Sequence, residues 1–85
     1  MGKYKIEIKK SAVKELEAIP TKDLKRIIAR IQELTDNPRP LGCIKLSDKE
    51  RYRIRVGDYR ILYSIDDVIL IVFVVKIGHR KDVYR

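Results

Sequence analysis

The absences in this chain narrow its chemistry before any motif is read. A single cysteine, Cys43, cannot close an intrachain disulfide, and there is no CxxC or Cys/His set for a structural zinc. No Ser/His/Asp set is recognisable, and the only histidine, His79, leaves no histidine pair for acid–base work. The four glycines form no phosphate-cradling loop. The acids form no metal cluster, and Asp66-Asp67 reads as a pair of turn formers. No metal and no cofactor are expected. The N-terminal Met-Gly-Lys-Tyr-Lys-Ile-Glu-Ile lacks the apolar core of a signal peptide, and the longest apolar run, 68–75, is too short for a bilayer. A cytoplasmic protein with no membrane partner is expected.

What is present is charge. Lys and Arg number 20 against 12 Asp and Glu, giving a net charge of +8 and a pI near 9.8 in 85 residues. That excess favours an anionic partner such as nucleic acid. The length allows one domain, residues 1–85, burying only about 60–65% of its unfolded surface. There is no linker, repeat or low-complexity segment.

Tyr4, Ile6 and Ile8 alternate with Lys5, Glu7 and Lys9, the period of a strand with one buried face. Ser11 is a candidate helix cap, with Val13, Leu16 and Ile19 on one face of a short helix that Pro20 ends. Thr21 is the next candidate cap. Leu24, Ile27, Ile28, Ile31 and Leu34 repeat at helical spacing, with Lys22, Lys25, Arg26 and Arg30 largely outside, and Asp36-Asn37-Pro38 closes the helix. That basic outer face is either solvated or a nucleic-acid contact. After a loop at 38–42, Ile44 and Leu46 suggest a short strand, and residues 47–50 a turn. Residues 68–77, nearly all β-branched or apolar, read as a strand central in a sheet or covered on both faces, following a tight turn at Asp66-Asp67. The order predicts a two-layer α+β domain. Its N-terminal strand and αα-hairpin pack on a mostly antiparallel sheet of four or five strands.

Between those elements lies the most informative stretch, Arg-Tyr-Arg-Ile-Arg-Val-Gly-Asp-Tyr-Arg at 51–60. Gly57-Asp58 suits a two-residue hairpin turn. A turn of that length pairs Val56 with Tyr59, Arg55 with Arg60, Ile54 with Ile61, Arg53 with Leu62 and Tyr52 with Tyr63. One face is then Tyr52, Ile54, Val56, Tyr59, Ile61 and Tyr63; the other carries Arg51, Arg53, Arg55 and Arg60. Like charges directly opposite each other destabilise a sheet by roughly 0.2–1 kcal/mol. Two readings of the arginine face follow: a solvated surface, or a site whose forked donors suit phosphate oxygens.

Arginine can stabilise a pentacoordinate phosphorane but is a poor acid or base, because it stays charged. A base would have to be a tyrosine, whose phenolate is favoured by neighbouring guanidiniums. Tyr84, near Arg80 and Arg85, is either that base on a ribose 2′-hydroxyl or a frayed terminal residue. His79 is either an acid for a leaving 5′-oxygen or a surface residue.

Taken together, Tyr-Arg-Ile-Arg-Val-Gly-Asp-Tyr-Arg-Ile-Leu-Tyr (52–63) and Val-Val-Lys-Ile-Gly-His-Arg-Lys-Asp-Val-Tyr (74–84) resemble the RelE branch of the RelE/ParE toxins. The Lys-Glu-Leu of the first helix, Asn37-Pro38 and Lys45-Leu46 also fit, so the resemblance spans essentially the whole chain. It implies a microbial type II toxin with the RelE-like fold. Such a toxin cleaves mRNA in the ribosomal A site without a metal, by 2′-hydroxyl attack that leaves a 2′,3′-cyclic phosphate. By position, Arg53 and Arg55 would hold and neutralise the phosphate. Arg60 would stabilise the transition-state charge, Arg80 the leaving group, and Tyr84 would be the general base. Arg51, His79, Lys81 and Arg85 are further candidate RNA contacts. The implied partners are a cognate antitoxin and the ribosome with mRNA, with operator DNA reached only through the antitoxin. The strand positions often lysine in RelE are arginine here. The sequence stops at Arg85, so inhibition is expected through occlusion of the basic face rather than displacement of a terminal helix. Two rivals remain: a ParE-like gyrase inhibitor of the same fold, and a non-catalytic basic RNA-binding or interaction module.

Overall fold

The computed structural model describes residues 3–46 and 51–79. In chain order these form β1 (Lys5–Ile8), α1 (Lys10–Glu17), α2 (Thr21–Glu33), β2 (Ile44–Leu46), β3 (Arg51–Val56), β4 (Tyr59–Asp66) and β5 (Ile71–His79). The strands make one five-stranded sheet in the order β1-β5-β4-β3-β2. Only β1, which joins β5, pairs in parallel; the other ladders are antiparallel. The expected turn at 47–50 lies outside the described residues.

Both helices lie on one face of the sheet, because each has one apolar stripe to bury. In α1 that stripe is Ala12 and Leu16, with Ile19 just beyond packed on the core, while Val13 stays at the surface. Ile27, Ile31 and Leu34 turn inward from α2 and its C-cap, with Leu24 beside them, and Ile28 is exposed. The two caps expected from the sequence are not used. Lys9 occupies the extended N-cap position of α1 and Pro20 that of α2, so Ser11 and Thr21 fall inside their helices. Pro20 suits this place because it has no N–H to orphan, while its carbonyl accepts the Leu24 N–H at 2.9 Å.

The β3–β4 register holds all five expected pairs and extends to Arg51 opposite Ser64. Of the two turn residues only Gly57 has a positive φ, 58°, which is the II′ rather than the I′ pattern. Tyr52 and Tyr63 stack across the ladder with ring centroids 5.9 Å apart. The next connection is longer than the sequence suggests. Asp66 Oδ1 accepts the N–H groups of Val68 and Ile69, at 2.9 and 3.1 Å, and Leu70 takes a φ of 59°. Val68 to Leu70 therefore belong to the turn, with Val68 and Ile69 exposed, and β5 starts at Ile71.

β5 then changes face partway along. Val72 and Val74 point to the core, but a register shift opposite Leu62/Tyr63 inserts Val75, after which Ile77 points to the core and Lys76 pairs with Leu62. Beyond Val74, β5 has no further pairing with β1, and α1 lies along it instead. There Glu15 substitutes for a strand. Its Oε1 accepts the Ile77 N–H at 2.8 Å and its Oε2 accepts Lys76 Nζ at 3.0 Å. Leaving a buried N–H unmet costs about 1–3 kcal/mol.

A second polar node ties the opposite end together. Arg39 donates to both oxygens of Asp67, at 3.2 and 2.8 Å, and through Nε to the Tyr52 hydroxyl at 3.0 Å. The Tyr4 hydroxyl donates to Asp67 Oδ1 at 2.7 Å. These bonds, led by that from Arg39, lower the Asp67 pKa to about 2. A carboxyl depressed by folding adds stability above its unfolded pKa and loses it as pH falls through the folded one. The melting temperature should therefore fall between pH 4 and pH 2, and less steeply for Asp67→Asn. Parallel pH profiles for the two proteins would remove Asp67 from the acid response.

Candidate nucleic-acid interface

The two-residue period of β3 puts Arg51, Arg53 and Arg55 on the face away from the helices, with successive positions about 7 Å apart along the strand. Arg51 and Arg55 are exposed and Arg53 is half-buried. Among the described residues none of the three has an ion-pair partner. Three of the described acids are engaged elsewhere: Glu15 with β5, Asp66 with its own turn, and Asp67 with Arg39. A groove of about 370 Å³ opens beside this row, lined by Lys9, Ser11, Arg51, Leu62, Val75 and Lys76 among others.

Of the two readings of the arginine face, a solvated surface does not describe Arg60. It shares the face with Arg55 and stands opposite it, yet it is 1% exposed, the only charged residue in the described core. Its other cross-strand neighbour is Gly78, which has no side chain to compete for the space. The two guanidiniums of this like-charged pair thus end in different surroundings, one in solvent and one inside. Arg60 has interaction partners of its own. A guanidinium set inside the protein is screened less than one in water, which suits it to stabilising charge on a bound phosphate.

His79 is not brought to the arginine face. The register sets it opposite Tyr59, on the helix side, where the rings meet edge to face at 5.5 Å. Together they line a second cavity of about 340 Å³, with Glu15, Ala18 and Ile77. Arg80, Lys81, Tyr84 and Arg85 lie outside the described residues. Two other phenols are unsuited to act as bases. Tyr63 is fully buried, donates to the Pro38 carbonyl at 2.7 Å, and has its pKa raised chiefly by burial. Tyr4 is also raised, mainly by its hydrogen bond to Asp67. Among the described residues no group of three His, Cys, Asp or Glu side chains could hold a metal ion. No described helix is long and apolar enough to cross a membrane.

Glu15 and the Arg39–Asp67–Tyr4 node carry no clear signal in the sequence. The nearest hint is Lys76, the one charge in an apolar strand, which asks for an acid somewhere near.

A basic face on a two-layer α+β scaffold with this strand order defines a class of small toxins. The family model for the ParE toxin of the type II parDE toxin–antitoxin system matches residues 6–84. The RelE1 protein of Methanocaldococcus jannaschii is 36% identical, over 98% of this chain and 97% of its own length. The toxin RelE of Mycobacterium tuberculosis is 32% identical, over 96% and 87%. In the crystal structure of the archaeal RelE–RelB complex from Pyrococcus horikoshii, a chain 30% identical superposes with a TM-score of 0.84, over 92% of this chain and 96% of that one. This chain belongs to the RelE/ParE superfamily of type II toxins and is RelE-like in its relatives and its fold.

The contrast between Arg55 and Arg60 is measurable. Arg55→Ala should change unfolding free energy by less than about 0.5 kcal/mol, as at an ordinary exposed site, whereas Arg60→Ala should cost roughly 1–3 kcal/mol. Urea denaturation of both variants checks this, and equal losses would contradict the buried role of Arg60.

Proposed function

We propose that this toxin is a metal-independent endoribonuclease that cuts mRNA in the ribosomal A site. The observation that carries the reading is the Arg55–Arg60 pair: one exposed guanidinium able to meet a phosphate, backed by one fixed inside the protein. The ribose 2′-oxygen attacks the adjacent phosphorus, forming the new P–O bond of a 2′,3′-cyclic phosphate while the bond to the 5′-oxygen breaks. Arg53 and Arg55 hold the phosphate, and Arg60 stabilises the charge that builds on its equatorial oxygens. Tyr84 takes the 2′-proton as a phenolate favoured by surrounding guanidiniums, and Arg80 supports the departing 5′-oxygen. Arg51, Lys81 and Arg85 extend the contact to the RNA strand or the ribosome, and His79, on the helix side against Tyr59, is left out of it.

A cognate antitoxin is the second partner. The Pyrococcus relative was crystallised as a RelE–RelB complex, and an acidic or helical segment laid over Arg51, Arg53 and Arg55 would silence the toxin by occlusion. Operator DNA is reached only through that antitoxin, in the cytoplasm. The matching ParE family model favours one other reading, a gyrase inhibitor built on the same fold. The two separate cleanly. Primer extension on a translated mRNA should reveal breaks that need ribosomes and weaken at least tenfold in Arg55→Ala and Tyr84→Phe. A folded, growth-arresting wild type that makes no breaks would move the assignment to gyrase.

A further inference from the structure

We propose that Glu15 is a positioning residue for the phosphate-facing end of the sheet, a role that rests on the ribonuclease reading above. The inserted Val75 reverses which side of β5 meets the core, so the face of every later residue depends on that insertion staying in place. With it, Gly78 stands beside Arg60 and His79 beside Tyr59. Lost by one residue, it would send Ile77 to the arginine face and Gly78 to the core, removing the space next to Arg60. β1 no longer holds this half of β5, having ended opposite Val74. What remains on that side is the Glu15 carboxylate, which accepts the Ile77 N–H two residues past the inserted one and binds Lys76 between them. Glu15 comes from α1 and lines, with Arg51 and Lys76, the groove at the edge of the arginine row, but its carboxylate bonds β5 and none of the described arginines. It acts through β5, fixing the strand that leads into Arg80.

Glu15→Gln and Glu15→Met test this as a pair. Both keep the side-chain length and both remove the charge, so the ion pair to Lys76 is lost in each. Only glutamine keeps an oxygen to accept the Ile77 N–H. In Glu15→Met, hydrogen exchange at the Ile77 amide should accelerate at least tenfold. The nuclear Overhauser contact between the Tyr59 and His79 rings should weaken. The kcat for ribosome-dependent cleavage should fall about tenfold with KM within twofold, and cooperative melting should be retained. Glu15→Gln should restore all of these to within threefold of wild type. A methionine variant that keeps the ring contact and slow exchange overturns the proposal, as does one that cleaves at the wild-type rate or fails to fold while glutamine folds. A wild type that never cleaves would refute the ribonuclease reading alone. The exchange and ring contact would then decide the role of Glu15 on their own.

Discussion

Face assignment in a pleated ladder is the constraint on which this structure depends. β4 is hydrogen-bonded on both sides, and with a side-chain period of two its pairing decides which residues of β3 and β5 meet the helices. Ile61, Tyr63 and Ile65 go to the core, so Ile54 and Tyr52 follow on one side and Val72, Val74 and Ile77 on the other. The arginines of β3 are left on the far face as a consequence. The basic surface is in this sense the complement of the core. The same residues that bury the helices' stripes oblige Arg51, Arg53 and Arg55 to gather where nothing neutralises them within the described chain.

The hairpin was legible because it is local. Gly57-Asp58 and the alternation on either side define register without reference to anything distant, and every expected pair is present. The two amphipathic helices were legible for the same reason, although their caps were not, since Lys9 and Pro20 hold the cap positions by backbone geometry rather than by side-chain bonds. The start of β5 was misread because Val68, Ile69 and Leu70 look like strand. The side chain of Asp66 takes the amides of the first two and a left-handed Leu70 completes the turn. β5 read as apolar on both faces because it is apolar first in one parity and then in the other. The burial of Arg60 was not legible in the sequence. Charge pattern places a guanidinium on a face, but only the packing around it decides whether water reaches it.

That burial alters the electrostatics of the site. Arg55 and Arg60 carry the same charge and would repel if both were solvated at one cross-strand position. Separation into an exposed and an interior site lets the exposed group adapt to a ligand while the interior one stays fixed. Fixed charge that needs no reorganisation at the moment of reaction is the form of electrostatic help that stabilises a transition state most effectively. RelE-like and ParE-like proteins share the scaffold, so what divides them must be sought on this face and in the residues that steer it.

The parallel pairing of β1 with β5 also bears on when the protein can become harmful. The first strand described lies against the last, with Lys5 beside Ile71 and Ile8 beside Val74. β1 pairs only with β5, so the sheet cannot close until β5 has been synthesised. A nascent toxin therefore carries its basic hairpin on an unfinished scaffold, with α1 not yet seated against β5 and Glu15 without the amide it holds. The finished sheet is deferred until β5 can reach β1. An antitoxin already in the cell would then meet each copy as it matures.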